Sequence, residues 1–142
     1  MSTTVRESMT ANPRSIAGDA TVVEAAKLMA SENVGSLPVV EGGKLVGIVT
    51  DRDLVMKVVA RGLDAGTVPV SDVYSERPVV ATPDEPLDQA LHRMAQEQVR
   101  RLPVVDEGKL VGILAQADVA RTAEPESTGH MVEEISQEEG QR

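Results

Sequence analysis

The sequence predicts an α/β fold of the α+β kind, built from two tandem copies of one unit. Leu37–Asp53 (LPVVEGGKLVGIVTDRD) recurs sixty-five residues later as Leu102–Asp118 (LPVVDEGKLVGILAQAD), with no gap. From Val5 to Asp53, 19 of 49 positions are identical at that offset, which marks a duplication. In each copy two valine-rich runs flank a Gly-containing turn, the pattern of a hairpin, and an amphipathic stretch precedes them. Each unit thus reads short strand, helix, strand, strand, helix. Such a sheet cannot cover both its faces alone. Two units packed sheet to sheet about a pseudo-twofold axis would share a core and leave related clefts at their seam, where small-molecule sites tend to form.

The elements follow in order. Ser2 to Met9 can open with a short helix, with Thr3 or Thr4 as cap and Glu7 reaching back, ended by Asn12-Pro13. Arg14–Ala17 reads as extended and Gly18-Asp19 as a turn. Thr21 caps a helix with Glu24 at capping-box spacing, and Val22, Ala25, Ala26, Met29 and Ala30 fall on one face. Leu37–Val40 and Leu45–Val49 are strands joined by Glu41-Gly42-Gly43-Lys44. Thr50 opens a helix from Asp51 to about Ala60, ending near Gly62. Met29, Met56 and Met94 read as core fillers. The expected boundaries are residues 1–62 for the first repeat with its lead-in, 63–69 for a linker, 70–123 for the second repeat and 124–142 for an acidic flexible tail.

Composition narrows the function classes. The net charge of -9 argues against nucleic-acid binding through phosphate neutralisation, and six Glu with one Arg lie beyond Ala123. The chain has no Cys, which excludes disulfides and thiolate metal sites. It shows neither a basic-then-apolar leader nor an apolar run near the length of a membrane span, so a cytoplasmic location without membrane association is expected. Catalysis gains little support. His92 falls on the outer part of a helix, His130 lies in the tail, no Ser has an evident His partner, and Asp51 and Asp53 point to different helix faces. No enzyme activity, no metal and no required cofactor are expected.

The runs Gly35-Ser36-Leu37-Pro38-Val39 and Gly47-Ile48-Val49-Thr50-Asp51-Arg52-Asp53 resemble the CBS (cystathionine beta-synthase) domain. The repeat as a whole, about residues 3–122, resembles a CBS pair or Bateman module. Thr50–Asp53, Ala60-Arg61-Gly62-Leu63-Asp64 and Val99–Val104 are similar to small stand-alone bacterial proteins of the hypoxic-response type. The resemblance implies regulatory binding of AMP, ADP, ATP or S-adenosylmethionine in the cleft between repeats. By motif position it places phosphate on Thr50, ribose on Asp53 and the base beside Leu37, Pro38, Val39 and Ile16. Gly35 would leave room and Arg52 would add positive charge. Leu54-Val55-Met56 and Val58-Val59-Ala60 cover more than one helix face. This surplus apolar surface predicts a homodimer with helices from both units, including Ala25–Ala30 or Leu54–Val59, in the interface, which the resemblance supports. Output is expected to pass through association with an unknown protein partner.

A second reading stands beside each of these residues. Thr50 and Asp53 equally form an acidic capping box, and the fold could serve as an interaction module with no nucleotide. The second unit departs from the motif. Ala115, Gln116 and Ala117 replace Thr50, Asp51 and Arg52, while Asp118 is kept. A second site would rest on Arg100, Arg101, Pro103 and Asp118. Arg100 and Arg101 suit forked phosphate contacts, or ion pairs with Glu97, Asp106 or Asp118, or solvent.

Overall fold

A computed structural model describes residues 3–76, 78–117 and 119. The tail expected from residue 124, His130 and Asp118 lie outside the described residues. In chain order the elements are α1 (Val5–Ser8), β1 (Thr10–Ala11), β2 (Ile16–Ala17), α2 (Val22–Glu32), β3 (Ser36–Glu41), β4 (Lys44–Thr50), α3 (Asp51–Leu54), α4 (Leu87–Glu97), β5 (Arg101–Asp106) and β6 (Lys109–Ala115). A wider π turn, Val55–Val59, continues α3, and a 3-10 turn spans Val70–Asp72.

Local chemistry sets the element ends. Thr4 N–H donates to the Glu7 carboxylate at 3.0 Å, and Thr21 and Glu24 close the box that starts α2. Both long helices end on a left-handed residue, Asn33 and Gln98. Gly42 and Gly43 in the first hairpin, and Glu107 and Gly108 in the second, all take positive φ, as a two-residue turn between twisted strands requires.

The chain folds into two units that cut across the sequence repeats. One is Arg14–Pro78. The other joins the chain up to Pro13 with the chain from Val79 onward. In the first, Ile16, Val22, Ala25, Met29, Leu37, Val39, Val49, Leu54, Val58, Val70 and Val73 form a buried core. In the second, Val5 joins Leu87, Leu91, Met94, Leu102, Val104 and Leu114. Each repeat's lead-in therefore packs on the body of the other repeat.

The same backbone bonds fix both lead-ins. Val5 N–H donates to Glu85 O (3.1 Å), and Val70 N–H to Ala20 O (2.8 Å). Arg6 N–H donates to Pro83 O, and Ser71 N–H to Gly18 O, each at 2.8 Å. Thr10 then pairs with Ile113 beside β6, and Ser75 with Ile48 beside β4. At both crossings the strand carries glycine. A methyl group on Gly112 would sit 2.6 Å from Met9 Sδ and 3.0 Å from Thr10 O, and one on Gly47 would collide with the Tyr74 ring and the Ser75 carbonyl.

Three apolar expectations are corrected. Ala26 and Ala30 are exposed, because α2 buries only the stripe Val22, Ala25 and Met29. Met56 is 52% exposed and is no core filler, because its helical segment buries Leu54 and Val58 and turns Met56 outward. Val55, Val59 and Leu63 are exposed with it.

The second unit carries a polar clamp that the first lacks. Arg93 meets Glu85 at 2.7 Å and donates to Val80 O at 2.8 Å, while Thr82 N–H donates to Glu85 at 2.7 Å. Burial pushes the Glu85 carboxyl up, but the hydrogen bonds and charge of Arg93 and the Thr82 amide outweigh it, so its pKa lies below the ordinary value.

Gly47→Ala should cost about 1–3 kcal/mol of stability in urea unfolding, since a backbone carbonyl must shift to admit the methyl group. An unchanged midpoint would show that the crossing tolerates a side chain. Because the folded Glu85 pKa is depressed, the clamp's contribution is complete above the unfolded carboxylate pKa and is lost as pH falls through the folded value. The stability gap between wild type and Glu85→Gln should accordingly be open at neutral pH and close in acid. A gap that stays constant down the titration would disprove the coupling.

Candidate functional site

The first-repeat candidates all lie in the Arg14–Pro78 unit. Parallel pairing of β2 with β3 sets Ile16 opposite Val39, and antiparallel pairing of β3 with β4 sets Ser36 opposite Thr50. The register brings the start of β3, the end of β4 and the start of α3 together, because Asp51 N–H donates to Gly35 O at 2.9 Å. Leu37 and Val39 are buried at 1% and 0%, so their side chains serve the core. Pro38 is buried too, and so is Ile16, at 8%.

Thr50 and Asp53 close on each other. Asp53 N–H donates to Thr50 Oγ1 at 3.1 Å, while Thr50 N–H and Oγ1 donate to Asp53 Oδ2 at 2.9 and 3.0 Å. The capping box expected from sequence is therefore formed. The other oxygen, Asp53 Oδ1, lies 3.2 Å from Lys57 Nζ, and its side chain is only 13% exposed. Lys57 Nζ also donates to Val73 O at 2.8 Å. Sequence reading passed over Lys57, although its i,i+4 spacing from Asp53 was visible. Nothing in the sequence pointed to the Val73 carbonyl.

Charge around this corner is mixed. Asp51 packs against Gly35, where an added methyl group would sit 3.0 Å from Asp51 Oδ2. Arg52 is exposed and makes no ion pair among the described residues. Arg14 and Glu32 approach at 3.7 Å on the surface, a weak pair in water.

The second-repeat candidates are placed in part. Gln116 N–H donates to Arg100 O at 2.9 Å, repeating the Asp51–Gly35 bond sixty-five residues on. Arg100 and Arg101 are exposed, and Arg101 makes no ion pair among the described residues. Pro103 is buried in β5 and its carbonyl accepts from Ala81 N–H at 2.9 Å. At Ala115 no hydroxyl is available, so the Thr50 half of the box has no counterpart. Among the described residues no group of three His, Cys, Asp or Glu could hold a metal ion, and no helix is long and apolar enough to cross a membrane.

Comparison with known proteins agrees with this architecture. The CBS domain model matches residues 5–60 and 70–124. CBS domain-containing protein YhcV of Bacillus subtilis is 44% identical over 133 residues, covering 93% of this chain and 94% of that protein. Hypoxic response protein 1 of Mycobacterium tuberculosis is 35% identical over 120 residues, 84% of each chain. A crystal structure of Hypoxic Response Protein I with two coordinated zinc ions superposes with a TM-score of 0.78 at 34% identity, over 86% of this chain and 100% of that one. A crystal structure of CBSX2 in complex with AMP gives 0.71 at 33% identity, over 83% and 93%. The chain belongs to the CBS-domain family, as a CBS-domain pair similar to the stand-alone hypoxic-response proteins.

Proposed function

We propose that this protein is a regulatory module that binds an adenosine-type ligand at the Thr50–Asp53 corner and reports occupancy by associating with a partner protein. The ligand class is AMP, ADP, ATP or S-adenosylmethionine. The observation that carries this reading is the likeness in sequence and fold to a CBS protein crystallised with AMP, joined to a hydroxyl and an acid one helical turn apart. Thr50 Oγ1 would contact phosphate with Arg52 beside it, and Asp53 would accept from the ribose hydroxyls. Gly35, Pro38 and Ile16 would border the ligand. Arg100, Arg101, Pro103 and Asp118 would form at best a weaker second site, since the hydroxyl is missing there. The same contacts favour one rival reading: Asp53 already accepts from Thr50 and pairs with Lys57, as a purely structural cap would.

Assembly as a homodimer belongs to the proposal, because Val55, Met56, Val59 and Leu63 expose an apolar stripe.

Calorimetric titration decides the ligand question. Asp53→Ala, checked for folding by melting, should weaken AMP binding about ten- to hundredfold through loss of charge-assisted hydrogen bonds. Thr50→Ala should harm AMP more than adenosine, and Asp118→Ala should do little. Equal affinity of wild type and folded Asp53→Ala would reject the site. If no adenine nucleotide and no S-adenosylmethionine binds, the interaction-module reading stands. Light scattering at micromolar concentration should give a dimer for wild type and a monomer for Met56→Glu/Val59→Asp. A monomeric wild type would refute the assembly.

A further inference from the structure

We infer that Lys57 sets the affinity of this corner by competing with the ligand for Asp53, an inference that rests on the reading of Thr50 and Asp53 as the ligand site. The geometry is one of shared acceptor capacity. A carboxylate offers about four lone-pair positions. Both positions of Asp53 Oδ2 are taken by Thr50, through N–H at 2.9 Å and Oγ1–H at 3.0 Å. Oδ1 faces Lys57 Nζ at 3.2 Å. A ribose diol brings two donors to that same oxygen, so the ammonium must yield.

Lys57 is built to yield without being stranded. Its ammonium holds the Val73 carbonyl at 2.8 Å, closer than Asp53, and its side chain is 42% exposed. It can leave the carboxylate while keeping that carbonyl and gaining water. The π turn over Val55–Val59 places Lys57 between these two acceptors, with the Ala60 N–H bonded back to Val55 O at 2.8 Å. At the position equivalent to Lys57 in the second repeat the sequence carries Thr122.

Adenosine is the chosen probe because it is neutral and reports Asp53 without a phosphate contact. Lys57→Met keeps the apolar stem and removes the charge, and should bind adenosine roughly two- to fivefold more tightly than wild type. Lys57→Arg keeps the charge and should remain at wild-type affinity. Raising sodium chloride should tighten adenosine binding to wild type, by screening the ion pair, and leave Lys57→Met unmoved. Melting curves establish that each variant is folded. Equal or weaker binding by folded Lys57→Met, with Asp53→Ala still impaired, overturns the competition and leaves the site intact. Adenosine binding that ignores Asp53→Ala, or no binding by any variant, removes the site and the competition together.

Discussion

Everything in this fold depends on two places where the chain passes over a strand at a bare glycine. Met9 and Thr10 cross β6 at Gly112, and Tyr74 and Ser75 cross β4 at Gly47. A side chain at Gly47 would meet the Tyr74 ring and the Ser75 carbonyl, and one at Gly112 would press on Met9 Sδ and Thr10 O, so the lead-in would have to shift away from the strand. The pairing is what lets Val5 enter one core and Val70 and Val73 the other. Neither repeat completes its core from its own sequence, so much of the apolar burial is long range. Forming either core must close a loop of tens of residues before the contacts reward it, which places the ordering of the lead-ins on the slow side of folding.

The crossing also positions the candidate site. Ser75 and Ile48 exchange backbone hydrogen bonds at 2.8 and 3.0 Å, and Thr50 follows two residues later at the end of the same strand. Lys57 reaches from the helix to Val73, the residue just before the crossing pair. The acid at the helix start is thus tied to the lead-in by one ammonium and to the strand by one hydroxyl. Meanwhile the apolar stripe of Val55, Met56 and Val59 lies on the very turn that carries Lys57.

Much of this was legible in the residues. The offset of sixty-five, the hairpin turns, the Thr21–Glu24 box and the Thr50–Asp53 pair all follow from local rules that outside context does not overturn. Which lead-in serves which core was not legible. Val5 and Val70 sit at equivalent places in near-copies, and either would satisfy the same pocket by size and polarity. The Ala26 and Ala30 face misled for a related reason. Alanine is compatible with both burial and exposure, and helical spacing alone does not say how wide the covered stripe is. Met56 failed because its residue type suggested burial, whereas it lies two positions from both Leu54 and Val58, roughly 200° around a helix from each, so burying that pair turns it outward.

The duplication shows where the two copies were free to diverge. Bonds that hold the lead-ins run between backbone atoms, and they recur pair for pair in both units even where side chains differ: Arg6 and Ser71 donate alike, as do Asp51 and Gln116. Backbone donors do not depend on residue type, so the scaffold survives substitution. Side chains at the helix start carry no such protection. Thr50 corresponds to Ala115 and Gly35 to Arg100, and the Glu85–Arg93 clamp occupies positions where the first repeat has Ala20 and Leu28. The two units thus differ in polar side chains at their loops and helix starts while sharing one backbone frame. Geometry carried by the backbone is common to both copies, and any difference in specificity between them lies in these few side chains.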